Sequence, residues 1–363
     1  MPIYMDVHIV PGVKARNVAE AHRQDLLHQE EYGCKCMTYW IDEARESIFC
    51  LIEAPDKDTV KEMHSKAHGL VPNKVVEVSS SLVQSFLGRI YDPEKAETSP
   101  DGLKVFSDSG FRILLITKTA DLLLLQHHFG KDAATAMVLE ESIVFRKNIA
   151  QYEGAEIQHG GNGFIISFAS ASKAIACALS IQNDLSEKTA AHLELRMSIT
   201  AGEPIEKSDK LFGDAIERAH HYFILPDNIK ITVASSVKEL ASKDYFHHHH
   251  FNSLSHADEL LLESLAKTLN THWQRSEFDV DEFAREMAMS NSQLYRKTMA
   301  LTGISPNILL KEYRLEKAKD LMKKDYYTIS QITFDCGFTS PSYFTKCFKK
   351  KFGILPANYM DLL

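Results

Sequence analysis

Hydrophobic and polar positions change period repeatedly over residues 1–90. Pro2–Val10 alternates as a half-buried strand does, and Val13–Tyr32 sets Ala, Val and Leu on one face of a helix. Cys34–Ile41 and Ser47–Glu53 form a hairpin, Asp56–His68 a second helix and Lys74–Val78 a fourth strand. Strand, helix, strand, strand, helix, strand is the order of the ferredoxin-like split β-α-β arrangement. Tyr91–Gly110 is rich in Pro, Ser, Gly and charge and reads as a linker. Residues 111–245 are mixed again. FRILLITKTADLLLL runs from strand into helix, and HGGNGFIISF is a hairpin around Gly161–Gly163. A helix (ASKAIACALSIQNDL), a strand (ELRMSITAGEP) and the segments LFGDAIERAHHYFI and KITVASSVKELA follow. A second linker lies within Ser242–Ala257, assigned to 246–257, and holds four consecutive His. From Asp258 to Leu363 only helical periodicity remains. The expected fold class is multidomain α+β: a ferredoxin-like segment 1–90, an α+β segment 111–245 and an all-α segment 258–363.

The all-α segment repeats one pattern twice, in FDVDEFAREMAMSNSQLYRKTMALTG (Phe278–Gly303) and TISQITFDCGFTSPSYFTKCFKKKFG (Thr328–Gly353). Each opens with a cap acceptor three residues before Glu or Gln, Asp279 with Glu282 and Thr328 with Gln331, the spacing of a capping box. Each then turns into a second capped helix. Ser290 with Gln293 repeats the box, Pro341 after Ser340 suits a first helical position, and Gly337 suits a left-handed turn. Two helix-turn-helix units joined by a long helix, about Ser305–Lys324, point to DNA; at 1.5 Å per residue that helix spans about 30 Å, close to one turn of duplex.

Charge agrees. Ser290–Pro356 holds 12 Lys+Arg against 5 Asp+Glu, a net of +7 within a chain of net −8, so the remainder carries −15. A basic block on an acidic chain concentrates positive potential where a phosphate backbone would sit. No apolar run approaches the roughly 18 residues of a membrane span and no secretory h-region opens the chain. The six Cys are scattered, so a disulfide framework is not expected and a reducing cytoplasm is.

Residues from about Asp258 resemble the DNA-binding domain of AraC/XylS regulators. Ile329, Ile332, Gly337, Phe338, Ser342, Tyr343, Phe344, Phe348, Lys349, Lys350, Gly353, Pro356 and Tyr359 carry the resemblance; Thr333 departs from it, where the family has Ala. The resemblance implies two recognition helices in successive major grooves of double-stranded DNA. Helical spacing turns Leu294, Met299, Phe344 and Phe348 inward. Ser292, Tyr295 and Arg296 then face outward on the first recognition helix, and Ser342, Thr345 and Lys346 on the second, as base-reading candidates. Arg296 leads them, because a guanidinium pairs with both acceptors of guanine. Lys349, Lys350 and Lys351 are expected to hold phosphates, and Cys336 and Cys347 to pack.

Histidine is the chemistry of the first segment. His64 and His68 stand four apart on one helix face, a spacing that can hold a transition metal or simply face solvent. MPIYMDVHIVPGV, AHRQDLL, CMTYWIDEARESIFCLIEAPD and MHSKAHGLV are similar to a family of small bacterial ferredoxin-like nickel-binding proteins. That resemblance implies a metal site, with His8, His22, His64 and His68 as ligands and Asp6 beside them, and a tendency to dimerise. Imidazole suits nickel, copper and zinc alike, so the metal stays open. Cys34, Cys36 and Cys50 are assigned to the hairpin strands without a ligand role.

GNGF, AGE and FGDAIERA give the middle segment a resemblance to class III nucleotidyl cyclases. Their two metal-holding carboxylates would fall at Lys118 and Asn162, their transition-state Asn and Arg at Glu217 and His221, and their purine-recognising positions at Gln158 and Lys210. Lys118 would repel a metal ion and Asn162 lacks the charge, so no catalysis and no catalytic cofactor are expected. The expected function is a sequence-specific DNA-binding transcription regulator, a homodimer whose first two segments sense a metal or small-molecule effector. The alternatives are a metal-binding protein with a DNA-binding module or, further off, an active cyclase.

Overall fold

A computed structural model of the chain describes residues 1–160, 163–186, 194–226, 228–247, 251–324 and 328–363. The N-terminal strands β1 (Ile3–Ile9), β2 (Lys35–Asp42), β3 (Ser47–Glu53) and β4 (Lys74–Val78) form an antiparallel sheet in the order β2-β3-β1-β4. Helices α1 (Ala15–His28) and α2 (Lys57–Ala67) cover one face, where Val18, Ala19, Val60 and Met63 meet Tyr4, Tyr39, Ile48 and Cys50. The strands run buried almost end to end because the other face is covered as well. A helix that the pattern reading missed, α3 (Ser80–Leu87), lies there with Val83, Phe86 and Leu87 inward.

Tyr91–Gly110 differs from the linker that its composition suggests. It folds back as a small hairpin, β5 (Glu97–Thr98) with β6 (Lys104–Val105), and buries Leu103 and Phe106 in the N-terminal core. Phe106 stacks on Tyr39 with ring centroids 4.1 Å apart. Polar side chains of the segment also turn inward, Asp92 to His22 at 3.3 Å and Ser109 to Asp42 at 2.9 Å.

The middle region contains β7 (Arg112–Lys118), α4 (Leu122–Phe129), α5 (Lys131–Gln151), β8 (Ala155–Gly160), β9 (Gly163–Phe168), α6 (Ala171–Ser186) and β10 (Arg196–Gly202). It continues through α7 (Gly213–Tyr222), β11 (Ile231–Val233), α8 (Ser235–Leu240) and β12 (Asn252–Ser253). The sheet order is β12-β11-β10-β7-β9-β8, parallel from β10 to β12 and antiparallel elsewhere. Part of the second expected linker is therefore an edge strand, β12. Strand periodicity splits β7 between two cores. Ile113 and Leu115 enter the core of their own region, whereas Leu114 joins Met5, Val7, Trp40, Phe49, Leu51 and Phe212 between the two sheets. Asn162 and His248–His250 lie outside the described residues.

The last region is helical: α9 (His256–His272), α10 (Val280–Glu286), α11 (Asn291–Thr302), α12 (Pro306–Met322), α13 (Ile329–Asp335), α14 (Pro341–Phe352) and α15 (Pro356–Met360). Its two cores share α12, which gives Leu309 and Leu310 to the first and Leu315, Ala318 and Met322 to the second. No described helix is long and apolar enough to cross a membrane.

Candidate nucleic-acid interface and metal centre

Caps set the recognition helices. Ser290 and Gln293 form a reciprocal box at α11, as do Thr328 and Gln331 at α13. Asp279 accepts from the Asp281 and Glu282 amides, but the Glu282 side chain turns to Arg275 rather than back to the cap. Ser340 caps α14 ahead of Pro341, and Gly337 takes φ +72° in the turn before it. Ser292, Tyr295, Arg296, Ser342, Lys346, Lys349 and Lys350 are exposed, while Thr345 is half-buried. Two positions differ from the spacing argument. Thr298, not Met299, is the buried partner of Leu294, because i, i+4 places it on the inner stripe and leaves Met299 at its margin. Lys351 is three residues past Phe348 and turns inward, where its ammonium pairs with Glu312 and, at 3.3 Å, with Glu316.

That inward face meets the middle region. Lys118, at the end of β7, lies 3.4 Å from Glu316 on α12. Buried Asp121 caps α4 through the Leu123 amide, accepts from Tyr359 Oη at 2.8 Å and pairs with Lys319 at 3.7 Å. Burial alone would raise the Glu316 carboxyl, but Lys118, Lys319 and Lys351 outweigh it and hold it at about 2. Leu123 and Leu124 extend the core of the second helix-turn-helix. Of the other positions aligned with cyclase chemistry, Glu217 and His221 lie 3.6 Å apart as an i, i+4 pair on α7.

In the N-terminal region α2 delivers His64 into the interior. Its ring is 0% exposed and is held at both nitrogens. Nε2 donates to Asp6 Oδ2 at 2.9 Å, and Nδ1 faces Asp25 Oδ1 at 3.1 Å and His68 Nε2 at 2.9 Å. His8 Nε2 lies 3.3 Å from Asp6 Oδ1, and His68 Nε2 lies 3.1 Å from Asp25 Oδ1. Burial opposes charge on His64, but Asp6 and Asp25 outweigh it and push the ring up to about 10. Burial likewise opposes charge on Asp6, yet His64 and His8 hold its carboxyl well below the usual range. Two buried carboxylates thus meet at the His64 ring, and the His8 contact at Asp6 Oδ1 is not a hydrogen bond of good geometry. A cavity of about 20 Å³ opens beside them, lined by His8, Asp25, Cys50 and His68 among others, enough for about one water-sized body. Two buried carboxylates, one of them with an oxygen that makes no hydrogen bond, and imidazoles at one small cavity fit a divalent transition-metal ion.

Two donor groups meet at His64: Asp6, His8, Cys50 and His64 in one, Asp25, His64 and His68 in the other. His8, His64 and His68 are brought together as expected. His22 lines the same cavity but falls outside both groups, with Nε2 3.3 Å from Asp92 and its ring edge-on to Tyr39. Asp25 escaped the sequence reading. Its signal was its place one turn after His22 on the apolar side of α1.

Comparisons with known proteins describe the two ends of the chain. Residues 283–361 match the family described as "Helix-turn-helix domain", and residues 4–78 the family described as "Nickel responsive protein SCO4226-like". "Histidine kinase P4" of Formosa agariphila is 38% identical over 109 residues, 30% of this chain and 8% of that protein. "HTH-type transcriptional activator RhaS" of Mannheimia succiniciproducens is 30% identical over 30% of this chain and 40% of its own length. The chain thus spans less than half of either relative. The solved structure of SCO4226 from Streptomyces coelicolor A3(2) is 30% identical over 21% of this chain and 94% of that one, with a TM-score of 0.20. An AraC-type helix-turn-helix region at the C-terminus and an SCO4226-like domain at the N-terminus are the classes these findings establish.

Proposed function

We propose that this chain is a metal-responsive, sequence-specific transcription regulator rather than an enzyme, working as a homodimer on double-stranded DNA. Its working units are 1–90 as metal sensor, 111–245 as a degenerate cyclase-like scaffold and 258–363 as DNA reader. Ser292, Tyr295, Arg296, Ser342, Thr345 and Lys346 read bases, and Lys349 and Lys350 hold phosphates. Nickel is the metal suggested by the SCO4226-like match, and the residues that could hold it fall in two groups that meet at His64, one with Asp6 and His8 and the other with Asp25 and His68. When bound, the ion supplies positive charge that relieves the repulsion between two buried carboxylates. The scaffold reading is supported by Lys118, which stands where a cyclase would hold metal and is paired with Glu316.

One observation carries the coupling. Strand β1 turns Asp6 and His8 into the donor cluster and, by its period of two, Met5 and Val7 into the core shared with Leu114 of β7. At its far end β7 sets Lys118 against α12 of the reader. A shift of β1 on metal binding is thereby felt at the helix that joins both helix-turn-helix units. Coupling of this kind is reciprocal, so DNA must also change metal affinity.

The test is DNA affinity of the full chain on a selected operator at fixed salt, with and without Ni(II). A change of tenfold or more, about 1.4 kcal/mol, is expected, and it should vanish in a His64→Ala/His68→Ala variant. Equal affinities would leave a DNA-binding protein with a metal site that does not signal. The roles at the interface are separable. Arg296→Ala should lose about 1–3 kcal/mol of discrimination at one base pair. Lys350→Ala should weaken all sequences alike and lower the salt slope by about one. Equal losses on operator and random DNA for both variants would reject this division.

A further inference from the structure

The group around His64 Nε2 mixes donor types. Asp6, His8, His64 and Cys50 each offer one ligand atom, all within 4.8 Å of one another, and all four residues are buried. Register explains the convergence. Asp6 on β1 sits directly opposite Cys50 on β3, on the face covered by α1 and α2, and α2 delivers His64 to the same spot. The orphaned Asp6 Oδ1 belongs to this group, and Cys50 also lines the adjoining cavity. The neighbouring thiols are differently placed: Cys36 Sγ lies 3.7 Å from Met63 Sδ, and neither Cys34 nor Cys36 joins a donor group.

Resting on the metal reading above, we propose that Cys50 is a thiolate ligand of the bound ion and sets the site's preference for Ni(II), Zn(II) and Co(II) over Mg(II), Ca(II) and Mn(II). Two imidazoles, one carboxylate and one thiolate make a four-donor set of borderline-to-soft character, whereas the hard cations require six or more oxygen ligands. In binding, the Cys50 S–H bond and one N–H bond of the His64 imidazolium break, both protons leave to solvent, and the freed sulfur and nitrogen lone pairs form bonds to the metal; nothing is oxidised or reduced.

The full-length, reduced protein is titrated with Co(II) and with Ni(II) at neutral pH, followed by near-ultraviolet absorbance and by equilibrium dialysis. A thiolate-to-metal charge-transfer band is expected to grow with bound metal. Cys50→Ser should lose the band and bind at least tenfold more weakly, while Cys36→Ser keeps both. X-ray absorption of the Zn(II)-loaded wild-type chain needs no variant to fold, and it should show one sulfur at about 2.3 Å. A band that persists in Cys50→Ser, or a zinc shell of nitrogen and oxygen alone, overturns the proposal while the metal site stands. No metal retained on dialysis of the wild type overturns the metal reading itself.

Discussion

His64→Ala should destabilise the N-terminal region by about 3–5 kcal/mol at neutral pH, the cost of leaving buried charge without its partner. The ring is fully buried and bridges Asp6 and Asp25. Removing it leaves two buried carboxylates that repel each other across a new cavity. His64 has its folded value raised to about 10, above the roughly 6.5 of an unfolded chain. Its contribution is therefore complete below pH 6.5 and is lost as pH rises through about 10. The variant should behave in the opposite sense. Without the imidazolium, burial favours protonated Asp6 and Asp25, so acidification toward pH 5 restores part of the loss. Denaturant unfolding followed by Trp40 fluorescence in a Trp273→Phe background reads out the loss, because Trp40 lies behind β1 in the core shared with the middle sheet. A midpoint at pH 7 unchanged from the parent would reject the clamp. In the parent, Ni(II) should raise the midpoint by binding the folded site alone.

Gly337→Ala should cost about 3 kcal/mol and abolish operator binding, combining about 1–2 kcal/mol for a left-handed Ala with about 1.5–3 kcal/mol for a disturbed hydrogen bond of the half-buried Arg314 guanidinium. The residue has φ +72°, and a Cβ there would stand 2.7 Å from the Trp273 carbonyl and 2.9 Å from the Arg314 guanidinium. Arg314 donates to the Trp273, Arg275 and Phe278 carbonyls, which ties the end of α9 to α12. A methyl at Gly337 would thus disturb both the turn of the second helix-turn-helix and the junction between the two units. Operator affinity and the denaturant midpoint of the C-terminal core are the readouts. Near-parental values for both would show that the turn relaxes without strain. Gly353, at φ +75° with only the His128 ring nearby, should tolerate Ala better.

The C-terminal helical region was the more legible in sequence. Caps, turn glycines and apolar stripes are local signals, and Ser290–Gln293, Thr328–Gln331, Ser340 and Gly337 all act where their spacing put them. Even there Lys351 escaped, because a lysine in a basic run is read as solvated and only the fold reveals Glu312 and Glu316 beneath it. The four strands of the first sheet lay within a residue or two of their expected bounds. The helix α3 and the anchored segment 91–110 did not show, since both depend on a second sheet or core to pack against.

Residue identity and periodicity alone determined the helix-turn-helix pair, the inward places of Leu294, Phe344 and Phe348 and the histidines worth watching. These follow from interactions over a few residues, within one turn or one strand repeat. Tertiary structure alone decided that Asp25 and Cys50 join His8, His64 and His68 while His22 turns to Asp92. It also decided that the N-terminal sheet shares a core with the middle sheet, and that Lys118 meets Glu316 across 198 residues of chain. Such meetings are set by strand register and by which sheet face is covered. No pattern confined to one segment encodes them.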